Sequence, residues 1–190
     1  MKDLRVGFAF CGSFCTMAEG VAALREVAGR CAEVYPIVSE VTAATDTRFG
    51  RAEDLLREVE GICGRKPITT IRDAEPIGPK KLLDVLVICP CTGNTLAKLA
   101  HGITDSAVTM AAKAHLRNGR PLVLALATND GLAGAAPNLG VLLGRKNVWF
   151  VPFGQDDPEG KPTSLVADFT RVGETVEAAL RGEQLQPVLL

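Results

Sequence analysis

The chain has 190 residues, 47% of them hydrophobic, enough for one domain with a substantial core. Its 21 Lys and Arg are scattered and balanced by 22 Asp and Glu, so the sequence carries no nucleic-acid footprint. No run of about eighteen apolar residues is present to span a membrane, and the N-terminus "MKDLRVGFAF" is too short in apolar residues for a signal peptide; the expected location is the cytoplasm.

Short apolar runs alternate with helical periods along the chain. Residues 4–10, 34–38, 84–89, 121–127 and 147–151 read as strands, nearly continuous in apolar side chains as strands covered on both faces are. Residues 68–71 (ITTI) have the composition of a further short strand. Phe14, Met17, Val21, Leu24 and Val27 recur at three- and four-residue steps and predict a helix with one apolar face. Helices are also predicted over 51–63, from "LAKLAHG" at 96–102, and over 104–117 and 164–181. "GQDDPEGKPT", 154–163, reads as an exposed loop, and the apolar end of the tail "GEQLQPVLL" predicts docking onto another surface.

This alternation predicts an α/β fold: a doubly wound parallel sheet, Rossmann-like or flavodoxin-like, in three layers, forming a single domain over 1–190. The six cysteines, Cys11, Cys15, Cys31, Cys63, Cys89 and Cys91, read as free thiols that pack as small hydrophobes. CxxxC followed by CxC lacks zinc-ribbon spacing, so no metal site is expected. His101 and His115 read as surface or helix-end histidines.

Open α/β sheets bind ligands beyond the carboxyl ends of their strands. Those ends fall at 11–16, 39–50, 90–95 and 128–138, all rich in small and polar residues. The first lacks GxGxxG, so no tight dinucleotide fingerprint is present. Gly12 and Ser13 instead offer backbone N–H groups and a hydroxyl at a helix start, where the macrodipole favours an anion; the alternative is Ser13 as a plain N-cap. In "PCTGNT", Pro90 ends the strand, Thr92 and Thr95 supply hydroxyls, and Asn94 supplies an amide that both donates and accepts, or simply serves the turn. Two such helix starts side by side would cradle one phosphate.

"PCTGNTLAKLAHGITDS", residues 90–106, resembles the PxSANTxAKxAxGIADN signature of the flavoprotein family, which includes phosphopantothenoylcysteine decarboxylases, peptide-cysteine decarboxylases and flavin prenyltransferases. The resemblance implies FMN as cofactor. Gly12, Ser13 and Phe14 would hold its phosphate, Ser39 would contact the flavin, and Thr92, Gly93 and Thr95 would complete the cofactor site. Asn94 would orient a substrate carboxylate, and Asp105 matches the acidic position of the motif's second half, with Ser106 replacing the following Asn. The family's proton-transferring histidine is absent from "SEVTAATDTRFG", 39–50, which argues against cysteine decarboxylation. The prenyltransferases' Arg-Glu is replaced by Thr128, Asn129 and Asp130.

Residues 75–95, 110–132 and 146–158, with "TDTRFG" at 45–50, resemble one branch of this family, a component of a two-component oxidoreductase. That resemblance implies oxidation of dihydrodipicolinate to dipicolinate in the mother cell of a spore-forming bacterium, with NAD(P) supplied through a partner chain, the A subunit. It also implies a homo-oligomer with the flavin where two copies meet. A dianionic substrate calls for cationic anchors: Arg48 and Arg51 are the best placed, with Lys98 behind them. Asp46 and Asp105 are the carboxylates available as a base. Two other readings stay open, a self-sufficient decarboxylase or prenyltransferase and a non-catalytic scaffold that activates the partner chain.

Overall fold

A computed structural model describes the whole chain, Met1–Leu190. Strands β1 (Arg5–Phe10), β2 (Glu33–Val38), β3 (Val85–Cys91), β4 (Leu122–Thr128) and β5 (Val148–Phe150) fall on the five predicted apolar runs. They pair in parallel in the order β2-β1-β3-β4-β5. The chain winds one way from β1 to β2 and the other way from β3 onward, so the topological switch point lies between β1 and β3.

The helices are α1 (Met17–Ala28), α2 (Glu40–Ala44), α3 (Ala52–Cys63), α4 (Ile71–Ala74), α5 (Gly93–His101), α6 (Ala107–Leu116), α7 (Ala136–Leu143) and α8 (Val172–Leu180). α1 packs against α3 and α8 on one face of the sheet, while α4, α5, α6 and α7 pack among themselves on the other. The layers meet over fully buried Phe8, Phe10, Ile37, Leu86, Ile88 and Leu124. Burying each such side chain is worth about 1.5–3 kcal/mol. No helix is long and apolar enough to cross a membrane.

The structure departs from the sequence-based expectation in several places, among them helices α2 and α7, which no predicted helix covers. The sheet is not wholly parallel: β7 (Leu165–Ala167) runs antiparallel to the end of β4, and β6 (Phe153–Gly154) antiparallel to β7. The helix predicted from 164 therefore starts only at Val172, after Asp168 accepts a hydrogen bond from the Thr170 N–H and turns the chain. Pro90 does not end its strand. β3 continues to Cys91 through a register shift against β4 between Ile88 and Cys91, an irregularity at which a residue without an N–H is tolerated. At 68–71 only Ile68 bridges Ile37, because Thr70 caps α4 with its side chain. His115 is buried rather than at the surface. The tail docks on its own sheet, with Val188 O accepting from Phe153 N and Leu190 N donating to Phe153 O.

Candidate functional site

The turns after β1 and β3 are joined directly: Cys11 N donates to Pro90 O at 3.3 Å. In the first turn the Ser13 N–H is taken by Cys11 O at 2.8 Å, so Ser13 does not offer the amide that the sequence suggested. Its hydroxyl accepts from Thr16 Oγ1 at 2.8 Å and caps no backbone N–H. The N–H groups of Gly12 and Phe14 donate to no protein acceptor. A Cβ on Gly12 would sit 3.4 Å from the Phe14 ring and 3.7 Å from Thr42 Oγ1, so the turn after β2 closes on this one.

The turn after β3 repeats the arrangement. Thr92 accepts from the Thr95 N–H through its hydroxyl at 3.2 Å, and the Leu96 N–H donates to Thr92 O at 2.8 Å. The Gly93 and Asn94 N–H groups are left without a protein acceptor at the start of α5. The Asn94 side chain is exposed, with no protein partner. A Cβ on Gly93 would lie 2.6 Å from Thr128 Oγ1 and 3.0 Å from Asp130 Oδ1, so glycine lets the loop after β4 close over this helix start. After β2, Ser39 caps α2 by accepting from the Thr42 N–H, and Glu40 reaches across to accept the Ala107 N–H with both carboxylate oxygens at 3.0 and 3.1 Å. Four segments far apart in sequence thus meet at one rim.

Beside this rim, α1, α3 and the 45–51 loop enclose a cavity of about 350 Å³. Phe14, Met17, Thr42 and Phe49 line it, and Arg25 and Arg51 stand among its walls. Both arginines are held by glutamates, Arg25 by Glu58 at 2.7 Å and Arg51 by Glu53 at 3.3 Å. Arg48 is not in the wall; its guanidinium lies over the Phe49 ring, 4.8 Å from the centroid. Asp46 accepts the Ala52 N–H at 2.9 Å and so caps α3. Asp105 pairs with Lys98 at 2.9 Å, and that hydrogen bond holds its carboxyl below the usual range. Both acids therefore have structural partners. Among the thiols, Cys11, Cys89 and Cys91 are buried, and burial pushes Cys11 up to about 11 and the other two well above the ordinary thiol value. They are neutral packing groups at pH 7.

Of the residues picked from sequence, Gly12, Ser13, Phe14, Ser39, Thr92, Gly93, Asn94 and Thr95 come together at the rim, and Arg51 stands at the cavity beside it. Arg48 and Asp105 point to other partners. Sequence reasoning missed Arg25, Thr42, Phe49 and Asp130. Thr42 carried a signal, because Ser39-x-x-Thr42 repeats the spacing of Thr92-x-x-Thr95.

An open α/β sheet whose first and third strands end in adjoining helix starts at the switch point makes this an α/β protein of the class that places its site at that rim. Residues 2–135 match the Flavoprotein family model, and the chain belongs to that family. Within it the full-length likeness is to dipicolinate synthase B subunits. The Bacillus subtilis protein of that description is 45% identical over 190 residues, covering 100% of this chain and 95% of the relative. The crystal structure of the dipicolinate synthase B subunit from Bacillus halodurans superposes with a TM-score of 0.91 at 43% identity, covering 100% of this chain and 97% of that one. The FMN-dependent cysteine decarboxylase SpaF shares 25% identity and a TM-score of 0.61, over 95% of this chain and 96% of its own.

Proposed function

We propose that this chain is the flavin-fold component of a dipicolinate synthase. In this reading it binds FMN by its phosphate and works with the dipicolinate synthase A subunit in oxidising dihydrodipicolinate to dipicolinate during sporulation. The observation that carries the reading is the pair of adjoining turns whose Gly12, Phe14, Gly93 and Asn94 amides have no protein acceptor. Unpaired N–H groups at helix starts suit a phosphate, and glycine at 12 and 93 lets the neighbouring turns pack closely around them. The full-length likeness to dipicolinate synthase B subunits supports the choice of reaction.

Aromatising the dihydropyridine ring removes a hydride equivalent and a proton. FMN, when bound, supplies a two-electron carrier between that ring and the NAD(P) brought by the partner chain. The chain's own residues bind and orient. Arg51 grips one substrate carboxylate from the cavity wall, exchanging its exposed glutamate for the ligand. The free Asn94 amide orients the second carboxylate. Asp105, already paired with Lys98, acts by positioning the loop ahead of α6. The missing histidine at 39–50 and the Thr128–Asp130 sequence favour dependence on the partner chain over a self-sufficient decarboxylase or prenyltransferase. Val41 and Phe49, 66% and 53% exposed beside the site, are apolar groups that a second copy of the chain would cover in a homo-oligomer.

The purified chain should retain flavin absorbance after incubation with FMN and gel filtration. Gly93→Ala should retain at least tenfold less, since its methyl group pushes the β4 loop off the helix start. Asn94→Ala should lower dipicolinate formation by the reconstituted pair with FMN retention intact. A wild-type chain that leaves FMN fluorescence unchanged sinks the flavin assignment and favours the scaffold reading.

A further inference from the structure

A second cavity of about 350 Å³ opens among α5, α6, α7 and their C-terminal loops, and shares no lining residue with the first. Its lining includes Lys98, Thr104, Lys113, Arg117, Arg145 and Lys146, and no aspartate or glutamate. The chain as a whole has 21 basic and 22 acidic side chains, so five cations with no acid in the lining of one cavity, and only Lys98 paired from outside it by Asp105, is a strong local departure. The cations come from three separate segments, α5, α6 and the loop after α7, and only the tertiary fold brings them together.

Cations near helix C-termini ordinarily complement the carbonyl ends. Here those carbonyls already have donors. Lys98 O accepts from Ile103 N, Leu99 O from Gly102 N, Lys113 O from Arg117 N, His115 O from Asn118 N and Leu142 O from Arg145 N. Arg145 Nη1 adds a bond to Leu99 O at 2.9 Å, and Lys98 is paired with Asp105. The Arg117 guanidinium packs against Gly78, whereas Lys113 and Lys146 have neither a carboxylate nor a carbonyl to hold, and the repulsion between these two goes uncompensated within the chain.

We infer that this cavity binds a compact anion carrying two or more phosphate or carboxylate groups, held between Lys113 and Lys146 with the Thr104 hydroxyl alongside. The shape favours a small molecule over an acidic protein surface, since a recess of this volume suits a ligand of metabolite size. The inference does not depend on the rim binding FMN.

Isothermal titration with inorganic pyrophosphate, and separately with citrate, tests it. At least one anion should bind saturably and raise the melting temperature. The double variant Lys113→Ala/Lys146→Ala should weaken that binding at least tenfold, whereas Gly93→Ala, which disturbs the rim, should leave it unchanged. Tighter pyrophosphate binding marks a phosphate-bearing ligand, and citrate binding alone marks a polycarboxylate. Both lysines are exposed, so the double variant should keep the wild-type circular-dichroism spectrum. The inference is overturned if neither anion gives saturable heat, or if the double variant binds as the wild type does. It is equally overturned if binding is lost only with Gly93→Ala, or if the double substitution changes the sedimenting mass with no anion bound, which assigns the face to a contact between chains.

Discussion

His115 is a buried imidazole whose ring Nε2 lies 3.0 Å from Pro121 O. A carbonyl only accepts, so Nε2 carries the proton and the neutral ring is the folded form. Burial pushes its pKa down to about 4 from 6.5; Arg120 adds to the shift, while the Pro121 bond and Asp84 oppose it. The folded pKa lies below the unfolded one. The stabilisation from the neutral ring is therefore complete above pH 6.5 and is lost as pH falls toward 4, because only the unfolded chain takes up the proton. Between pH 7.5 and 4.5 this one residue should remove about 2–3 kcal/mol of unfolding free energy in urea titrations. His115→Gln, which can still donate to Pro121 O, should flatten that part of the profile; an unchanged slope in the variant would rule the histidine out. The sequence hid this burial. His115 stands between Lys113 and Arg117, which point outward, and only the return of the chain through Pro121 into β4 covers the ring. The positions of Asn94 and Gly12 at the rim were easier to read, because small and amide-bearing residues follow directly on the apolar strand runs.

At the level of elements, one local device recurs wherever a strand or loop hands over to a helix around the site. Ser13 and Thr16, Ser39 and Thr42, Thr92 and Thr95, and Ser106 and Thr109 each pair their hydroxyls across one turn, at 2.8, 2.8, 3.2 and 2.9 Å. In the last three the first residue also accepts the N–H of the second, the ordinary capping geometry. These spacings are local and so were legible. What joins them is not: Glu40 meets the Ala107 N–H across 67 positions of sequence. α6 therefore receives three acceptors at its start, from Ser106, Thr109 and Glu40. Glu40→Ala should cost about 1 kcal/mol of stability, the usual worth of a cap with a favourable dipole term. Glu40→Gln keeps an acceptor without the charge and should fall between the two. Urea midpoints of the three proteins decide the matter, and identical midpoints would show that water replaces the carboxylate without loss. Asp105 and Arg48 illustrate the opposite limit, since a charged residue near a motif can satisfy a neighbour such as Lys98 or Phe49 instead of the site.

For the molecule as a whole, the parallel core was readable because strands covered on both faces are nearly continuous in apolar side chains, and β1 to β5 are so but for Arg5, Glu33 and Thr128 at strand ends. The outer edge was not readable, because it is closed by side chains and short pairings with little hydrophobic pattern. β4 lends its first half to β5 and its last two residues to β7, a division that no single-sequence pattern marks. β5 is only three residues long, and its outer edge at fully buried Phe150 is paired by one side chain: Gln184 accepts the Phe150 N–H at 2.9 Å and donates to Phe150 O at 2.6 Å. The Gln184 amide thus substitutes for a neighbouring strand and blunts an edge that would otherwise offer free backbone groups for association. The tail beyond it then pairs with Phe153. Gln184→Ala leaves one buried donor and one buried acceptor unsatisfied, a cost of about 2 kcal/mol. In a chain of this size the melting temperature should fall by about 4–8 °C. Gln184→Glu tests the cause: a carboxylate can accept from Phe150 N but repels Phe150 O, so it should rescue little at neutral pH. Light scattering at matched concentration should show larger particles for Gln184→Ala on mild heating than for the wild type. A variant that melts with the wild type and stays monodisperse would mean that the tail holds the edge closed without this amide.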